Sequence, residues 1–293
     1  MIRIVVIVLV ALAGVAQAQP AFPDNPFWAP FPCGGTVATD PLGDDPEFLD
    51  ELDVVGDRRA AAARHASDDD FLYLRLRLED DPADAAGVLS PFSWGFELDL
   101  DGDLTTYEVL VLVDGVLGTV ELFSNTATTI PNSPADPADA LPISYLFDDA
   151  ARTITADTGT PLGDSDDFFL DIAVPWVDLA TVGIARTTRV SIWAGSSDLA
   201  DGLNGDLACA AGGPAVLDVI AGDETVGDST IDSDGDGFTD AEEVEGGSDP
   251  NDANSIPEIR LEGGGGCDAG GGALISAIAL GGLRRKRRTP RSA

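Results

Sequence analysis

The sequence predicts an all-β chain: an antiparallel β-sandwich head, then a short acidic loop segment serving as a stalk, then an apolar tail helix. Three observations carry this expectation. Seven short segments alternate apolar and polar residues with period two, clusters of Asp, Gly and Pro separate them, and helical periodicity is missing between them. The body that holds these segments, residues 40–212, is long enough for one well-buried core.

The first strand is "FLYLRLRLE", which sets Leu72, Leu74, Leu76 and Leu78 on one face and Tyr73, Arg75 and Arg77 on the other. In "SWGFELDLDGD", Trp94, Phe96, Leu98 and Leu100 alternate with Gly95, Glu97, Asp99 and Asp101. Read as half-buried neighbours, the two strands would pair Arg75 or Arg77 with Glu97 or Asp99 on the solvent face. Further strands are expected over 106–113, 118–123, 152–157, 168–174 and 189–195. Residues 125–142, with four prolines, read as a long loop over one end of the sandwich. Only 175–179, in "VPWVDLA", suits a helical turn, and Trp176 there reads as core.

The two ends of the chain have a different character. "MIRIVVIVLVALAGVAQAQP" combines Arg3, an apolar run and small residues at Ala16 and Ala18, the pattern of a secretory signal peptide cleaved after Ala18. At the other end, "GGGGCDAGGGALISAIALGGLRRKRRTPRSA" gives a glycine linker, a cysteine, a short apolar segment and a basic cluster. The uncharged run 270–283 is shorter than the ~20 residues a membrane-spanning helix needs. The basic residues 284–288 would hold that end on the cytoplasmic side.

The chain carries 52 acidic and 16 basic residues, for a net charge of −36. Setting aside Arg3 and the six basic residues of the tail leaves nine arginines and no lysine. Such a surface repels nucleic acid and anionic lipid and suits divalent cations or cationic partners. Of the three cysteines, Cys33 and Cys209 flank the body and are natural partners in an oxidising compartment, with two free thiols as the alternative. Cys267, in the tail, is then left for processing or modification.

The order of Cys267, the apolar stretch 273–283 and the arginine-rich 284–288 resembles the tripartite C-terminal sorting signals of Gram-negative bacteria, of the myxobacterial type. The resemblance implies a membrane-engaged tail, recognition by a dedicated sorting protease and display at the cell surface or outer membrane. In the head, "GDDPEFLDELDVVGD", "DDDFLYLRLRLED", "WGFELDLDGD", "FFLDIAVPWVDL" and "RVSIWAGSS" together resemble the exported sandwiches of the DOMON-like superfamily, which include family 9 carbohydrate-binding modules. That resemblance implies a sandwich binding sugars, or less often haem.

Haem would need axial His or Met, and the chain offers His65 alone beyond its initiator Met1. A glycan would need an exposed ring with polar neighbours. Trp193 fits, because Val190, Ile192 and Ala194 claim the other face of its strand, with Tyr73, Arg75 and Arg77 as neighbours. The opposing reading is a ring used as core packing beneath a covered face. No marker of catalysis is present, neither G-x-S-x-G, H-E-x-x-H nor a Walker loop, so no enzyme is expected. His65, in "AAAARHASDDD", reads as an exposed loop residue.

The stretch "DSDGDGFTDAEE" matches D-x-[DN]-x-[DN]-G-x5-E without a gap. Calcium takes six to eight oxygens, and a twelve-residue loop offers them from Asp232, Asp234, Asp236, the carbonyl of Phe238, Asp240 and a bidentate Glu243. Gly237 falls at the sharp turn. The flanks lack the amphipathic helices of an EF-hand, since Gly246 and Gly247 stop anything after "AEEVE". The longer "DSDGDGFTDAEEVEGGSDPNDANS" resembles a bacterial thrombospondin type 3 repeat, which implies a calcium-wrapped spacer with Asp249 joining the shell. A second cation in "DLDGD" (Asp99, Asp101, Asp103) lacks a matching Glu.

The expected organisation is therefore a signal peptide (1–18), an N-terminal extension (19–39), the sandwich (40–212), a linker (213–231), the calcium repeat (232–256), a Gly-rich linker (257–266) and the sorting tail (267–293). Calcium is the expected cofactor. A glycan is the expected partner of the head, with a purely structural envelope or adhesion protein as the competing class and a secreted hydrolase as the least favoured.

Overall fold

A computed structural model describes residues 19–33, 36–45, 49–57, 60–156, 162, 166–209 and 213–221, and beyond them the single positions Phe238, Glu243, Ser248, Asn254 and Ser255. The signal segment, Cys267 and the tail helix expected near it lie outside the described residues. Among those described, no helix is long and apolar enough to cross a membrane.

Period-two alternation settles into two antiparallel sheets. A 3-10 turn at Asn25–Phe27 leads to three two-residue strands, β1 (Ala29–Pro30), β2 (Pro32–Cys33) and β3 (Thr36–Val37). Then come β4 (Ala63–Ser67), β5 (Phe71–Leu78), β6 (Ser93–Asp99), β7 (Val109–Asp114), β8 (Thr119–Ser124) and β9 (Ile143–Leu146). The single turn α1 (Phe147–Ala150) precedes β10 (Ala151–Thr155) and β11 (Phe168–Pro175). Last are α2 (Trp176–Leu179), the helical turn the sequence allowed, and β12 (Val190–Ser197), β13 (Leu207–Ala208) and β14 (Ala215–Leu217). One sheet runs β1-β4-β5-β11-β10; the other runs β13-β12-β6-β7-β8-β9, with β14 also on β12. Strands β2 and β3 form a separate ribbon.

The core lies between the two large sheets. Leu72, Leu74, Leu76 and Leu78 of β5 and Leu170, Ile172 and Val174 of β11 meet Trp94, Phe96 and Leu98 of β6, Val109, Val111 and Val113 of β7 and Ile192 of β12 in one apolar cluster. The alternation is what makes this possible, because each strand gives one face to the cluster. Asp residues fix the tight connections. Asp68 Oδ1 accepts the Asp70 and Phe71 amides at 2.8 and 2.7 Å between β4 and β5. Asp114 Oδ1 accepts those of Val116 and Leu117 at 2.8 and 3.0 Å between β7 and β8.

Three expectations are corrected. Strands β5 and β6 do not pair; they face each other from different sheets, so Arg75 and Arg77 never meet Glu97 or Asp99. The strand expected to begin at Thr106 begins at Val109. His65 is no loop residue: it sits on β4, fully buried, 5.4 Å from the Phe31 ring, with Nδ1 facing the Ile220 carbonyl at 3.3 Å. Residues outside 40–212 also belong to the body, since β1 extends the first sheet, β14 joins β12, and Phe31, Leu217 and Ile220 enter the core. Cys33 and Cys209 are bridged, with Cα atoms 5.8 Å apart across a sequence separation of 176.

Candidate functional site

The four residues proposed for ligand contact are split between opposite outer faces. Tyr73, Arg75 and Arg77 lie on the outside of the first sheet, yet all three are buried. Arg75 donates from Nε to Asp171 Oδ1 at 2.6 Å and from a terminal nitrogen to Oδ2 at 2.9 Å, while Arg152 donates to the same carboxylate at 2.8 Å. The register puts Arg64, Arg75, Asp171 and Arg152 side by side across β4, β5, β11 and β10. Arg77 donates from Nε to Asp167 Oδ2 at 2.7 Å.

The N-terminal residues make the lid of this face. The Arg75 guanidinium is stacked between the rings of Trp28 and Phe169, 4.0 and 4.1 Å from their centroids, and Arg152 lies 4.6 Å from that of Phe22. The Tyr73 hydroxyl donates to Asp68 at 2.7 Å, and burial holds its pKa above the usual phenol range. Paired, stacked and covered, these side chains are structural, and none is presented to a ligand.

Trp193 is on the other sheet, half-buried, opposite Glu97 of β6. Beside it a shallow cleft of about 80 Å³ is lined by Thr105, Tyr107, Asn132, Ser133 and Pro134 among others. Part of its wall is the proline-rich loop 125–142, which the sequence placed over one end and which folds onto this face. Asp136 pins that loop by accepting from Asn125 Nδ2 at 2.9 Å and from the Thr129 and Ile130 amides at 2.7 and 2.5 Å. Burial acts to raise the Asp136 pKa, but these hydrogen bonds outweigh it and hold the carboxyl below the usual range. The Tyr107 hydroxyl donates to the Asp136 carbonyl at 2.5 Å. Glu97 is pushed well above the usual carboxylate range by burial, with the charge of Asp136 adding to it, and one of its oxygens accepts the Leu203 amide at 3.1 Å. The cleft is small beside the ~300 Å³ and more of an enclosed ligand pocket, so it can offer a ring and polar groups to something lying on the surface only.

Of the acidic loop, Phe238 and Glu243 fall among the described residues; Asp232, Asp234, Asp236, Asp240 and Asp249 do not. Phe238 is half-buried and Glu243 fully buried. Ser248 closes the chain back on Glu243: its amide donates to the Glu243 carbonyl at 2.9 Å, and its hydroxyl lies 3.2 Å from both that carbonyl and Oε1. A carboxylate taken out of water in a chain of this charge fits the twelfth position of a cation loop.

Residues 232–253 match the bacterial TSP3 repeat. The match covers the acidic loop and the "GSDPND" that follows it, and it begins after the described residues of the head, which end at 221. Within the TSP3 repeat, Ser248 stands just before Asp249 and bonds back to Glu243, five residues earlier. No curated protein and no solved structure matches the chain.

The "DLDGD" turn changes its membership. Asp99 and Asp101 do come together, but with Glu108, just before β7, as the third carboxylate, each offering an oxygen within 4.8 Å of the others. Asp103 caps the next turn instead, accepting from the Thr105 hydroxyl at 2.7 Å. The missing Glu lies across the hairpin, where linear spacing cannot show it.

Proposed function

We propose that this is an exported calcium-binding protein displayed at the cell surface or outer membrane of a Gram-negative bacterium, in which a TSP3 stalk joins a β-sandwich binding head to a sorted tail. The observation that carries it is the TSP3 repeat at 232–253, in which every oxygen-bearing position of the twelve-residue loop falls in register. Asp232, Asp234, Asp236, the Phe238 carbonyl, Asp240 and Glu243 would hold calcium, with Asp249 completing the shell. The buried Glu243, steadied by Ser248, supports that assignment. Export rests on the 1–18 segment, and anchoring rests on Cys267 and the apolar and basic stretches after it, through the membrane and a sorting protease.

Calcium should order the stalk, because its carboxylates repel one another when no cation is bound. Limited proteolysis in EDTA is expected to cut within 225–256, and millimolar calcium to suppress those cuts, with heat of binding seen by calorimetry. Identical digests and no heat would end this reading.

The head is a binding module rather than a catalyst, and its ligand is a glycan lying on the Trp193 face. Trp193, Thr105, Asn132 and Ser133 offer the ring and polar groups that a sugar uses. On a glycan array the chain should retain sugars that Trp193→Ala loses. Binding that survives this change would move the ligand elsewhere, and an empty array would favour a structural envelope protein.

A further inference from the structure

Apart from the stalk, the head buries a second group of acids. Asp40, Asp45, Asp53 and Asp206 are each no more than 6% exposed, and Asp44 beside them is open to solvent. They come from three separate parts of the chain. Asp40 exchanges backbone hydrogen bonds with Gly56 at 2.8 and 2.9 Å; Asp53 precedes a bridge from Val54 to Leu78; Asp206 leads into β13. Asp40, Asp44 and Asp206 each bring an oxygen within 4.8 Å of the others.

Backbone amides take one side of this group. Asp53 Oδ2 accepts the Gly43 amide at 2.6 Å, Asp206 Oδ2 that of Val54 at 2.7 Å and Asp45 Oδ2 that of Leu49 at 3.0 Å. The other side is left over: Asp40 Oδ2 and Asp53 Oδ1 are buried with no hydrogen-bond partner. The charges acting on Asp40 are those of Asp206, Asp44 and Asp53, all negative. Buried carboxylates normally have a counter-charge or a metal, because one held out of water without either costs several kcal/mol.

We propose that Asp40, Asp44, Asp53 and Asp206 form a calcium site of the head, separate from the stalk, which clamps the 40–45 segment and residue 53 to the start of β13. The donor set decides the ion class. It is oxygen only, since His65 is in the core and Cys33 and Cys209 are bridged to each other, which disfavours zinc or copper. Oxygens 2.3–2.6 Å from one calcium lie at most about 5 Å apart, as those of Asp40, Asp44 and Asp206 do, and Asp53, bidentate carboxylates and waters would complete six to eight ligands.

The test removes the stalk site from the full chain with Asp234→Asn and Asp236→Asn, then titrates calcium alone. The expected result is continued uptake of one calcium, with the unfolding midpoint of the head raised by about 5–10 °C at a hundredfold excess over Kd. Adding Asp40→Asn should abolish the rise and also lift the midpoint in EDTA, because folding then no longer has to bury or protonate a carboxylate without its cation. That opposite pair of shifts is not produced by simple loss of packing. Should Asp40→Asn fail to fold, Asp44→Asn, at an exposed position, is expected to weaken calcium affinity at least tenfold. No calcium uptake by the stalk-deficient chain, or an unchanged affinity in Asp44→Asn, overturns the proposal. Either result leaves the stalk reading intact, since that is read from cuts within 225–256.

Discussion

His65 shows how far a single side chain can depart from its local sequence. Set among alanines and followed by three aspartates, it reads as polar surface, yet it stands on the inner face of β4 against Phe31. Burial pushes its imidazole down to about 4, with the Ile220 carbonyl acting weakly the other way. A group whose folded pKa lies below its unfolded value of 6.5 binds its proton more readily in the unfolded chain. Its contribution is therefore whole above pH 6.5 and is lost as pH falls from there towards 4. The loss amounts to about 3 kcal/mol at the lower end. Urea unfolding of the wild type and of His65→Gln at pH 7 and pH 4.5 checks this. The gap between the two proteins should narrow at the lower pH, and a constant gap would show that the imidazole does not titrate on unfolding. Arg75 departs in the same direction, for alternation put it in solvent while Trp28, from forty-seven positions earlier in the chain, covers it.

At the level of the strand, the central elements were legible. β5, β6, β8, β11 and β12 stand close to where alternation put them, since each carries two or more apolar residues at alternate positions. The short edge elements β1, β9 and β13, and β14 on the side of β12, were not, because strands of two to four residues have no period to detect. Nor could alternation say which sheet a strand joins, so a hairpin of β5 with β6 was as reasonable as the true arrangement. The acidic loop was legible because its spacing is rigid, whereas the clusters at Asp40 and Asp99 draw residues from separate segments and emerge only on folding. Gly95, in the middle of β6, belongs to this scale. In sequence it weakens a strand, but a Cβ there would collide with the Val111 carbonyl and lie 3.1 Å from the Leu112 Cα on β7. Gly95→Ala should cost about 1–3 kcal/mol in urea unfolding, as an overpacked site does. Gly87→Ala, with open space around it but φ +79°, should cost about 1–2 kcal/mol through backbone strain alone. A smaller cost at Gly95 than at Gly87 would mean that β6 and β7 can separate to admit a methyl group.

Across the whole chain, a charge of −36 works against compactness, and the described fold answers it in two ways. Three of its arginines, Arg64, Arg75 and Arg77, are buried, and Arg75 and Arg77 pair with Asp171 and Asp167 in the interior. The bridge between Cys33 and Cys209 then restrains the unfolded chain over nearly the entire head. For a loop of that length the chain-entropy model gives about 5 kcal/mol as an upper figure. Unfolding with and without reductant, and of the chain with Cys33→Ser and Cys209→Ser, should show a fall of a few kcal/mol; no fall would mean that the bridge is redundant with the core.

The same bridge decides how the head meets a mechanical load. A pull transmitted along the chain from beyond residue 221 first reaches Ala221 and Ile220, whose amides donate to the Arg186 and Thr188 carbonyls, then β14, three residues zipped onto β12, and then Cys209. Beyond that point tension passes directly to Cys33 and does not enter the sheets between them. β14 is a short extensible element in series with a bridged head, so its peeling would lengthen the molecule by a few residues and draw Leu217 and Ile220 out of the core, while the strands between Cys33 and Cys209 carry no load.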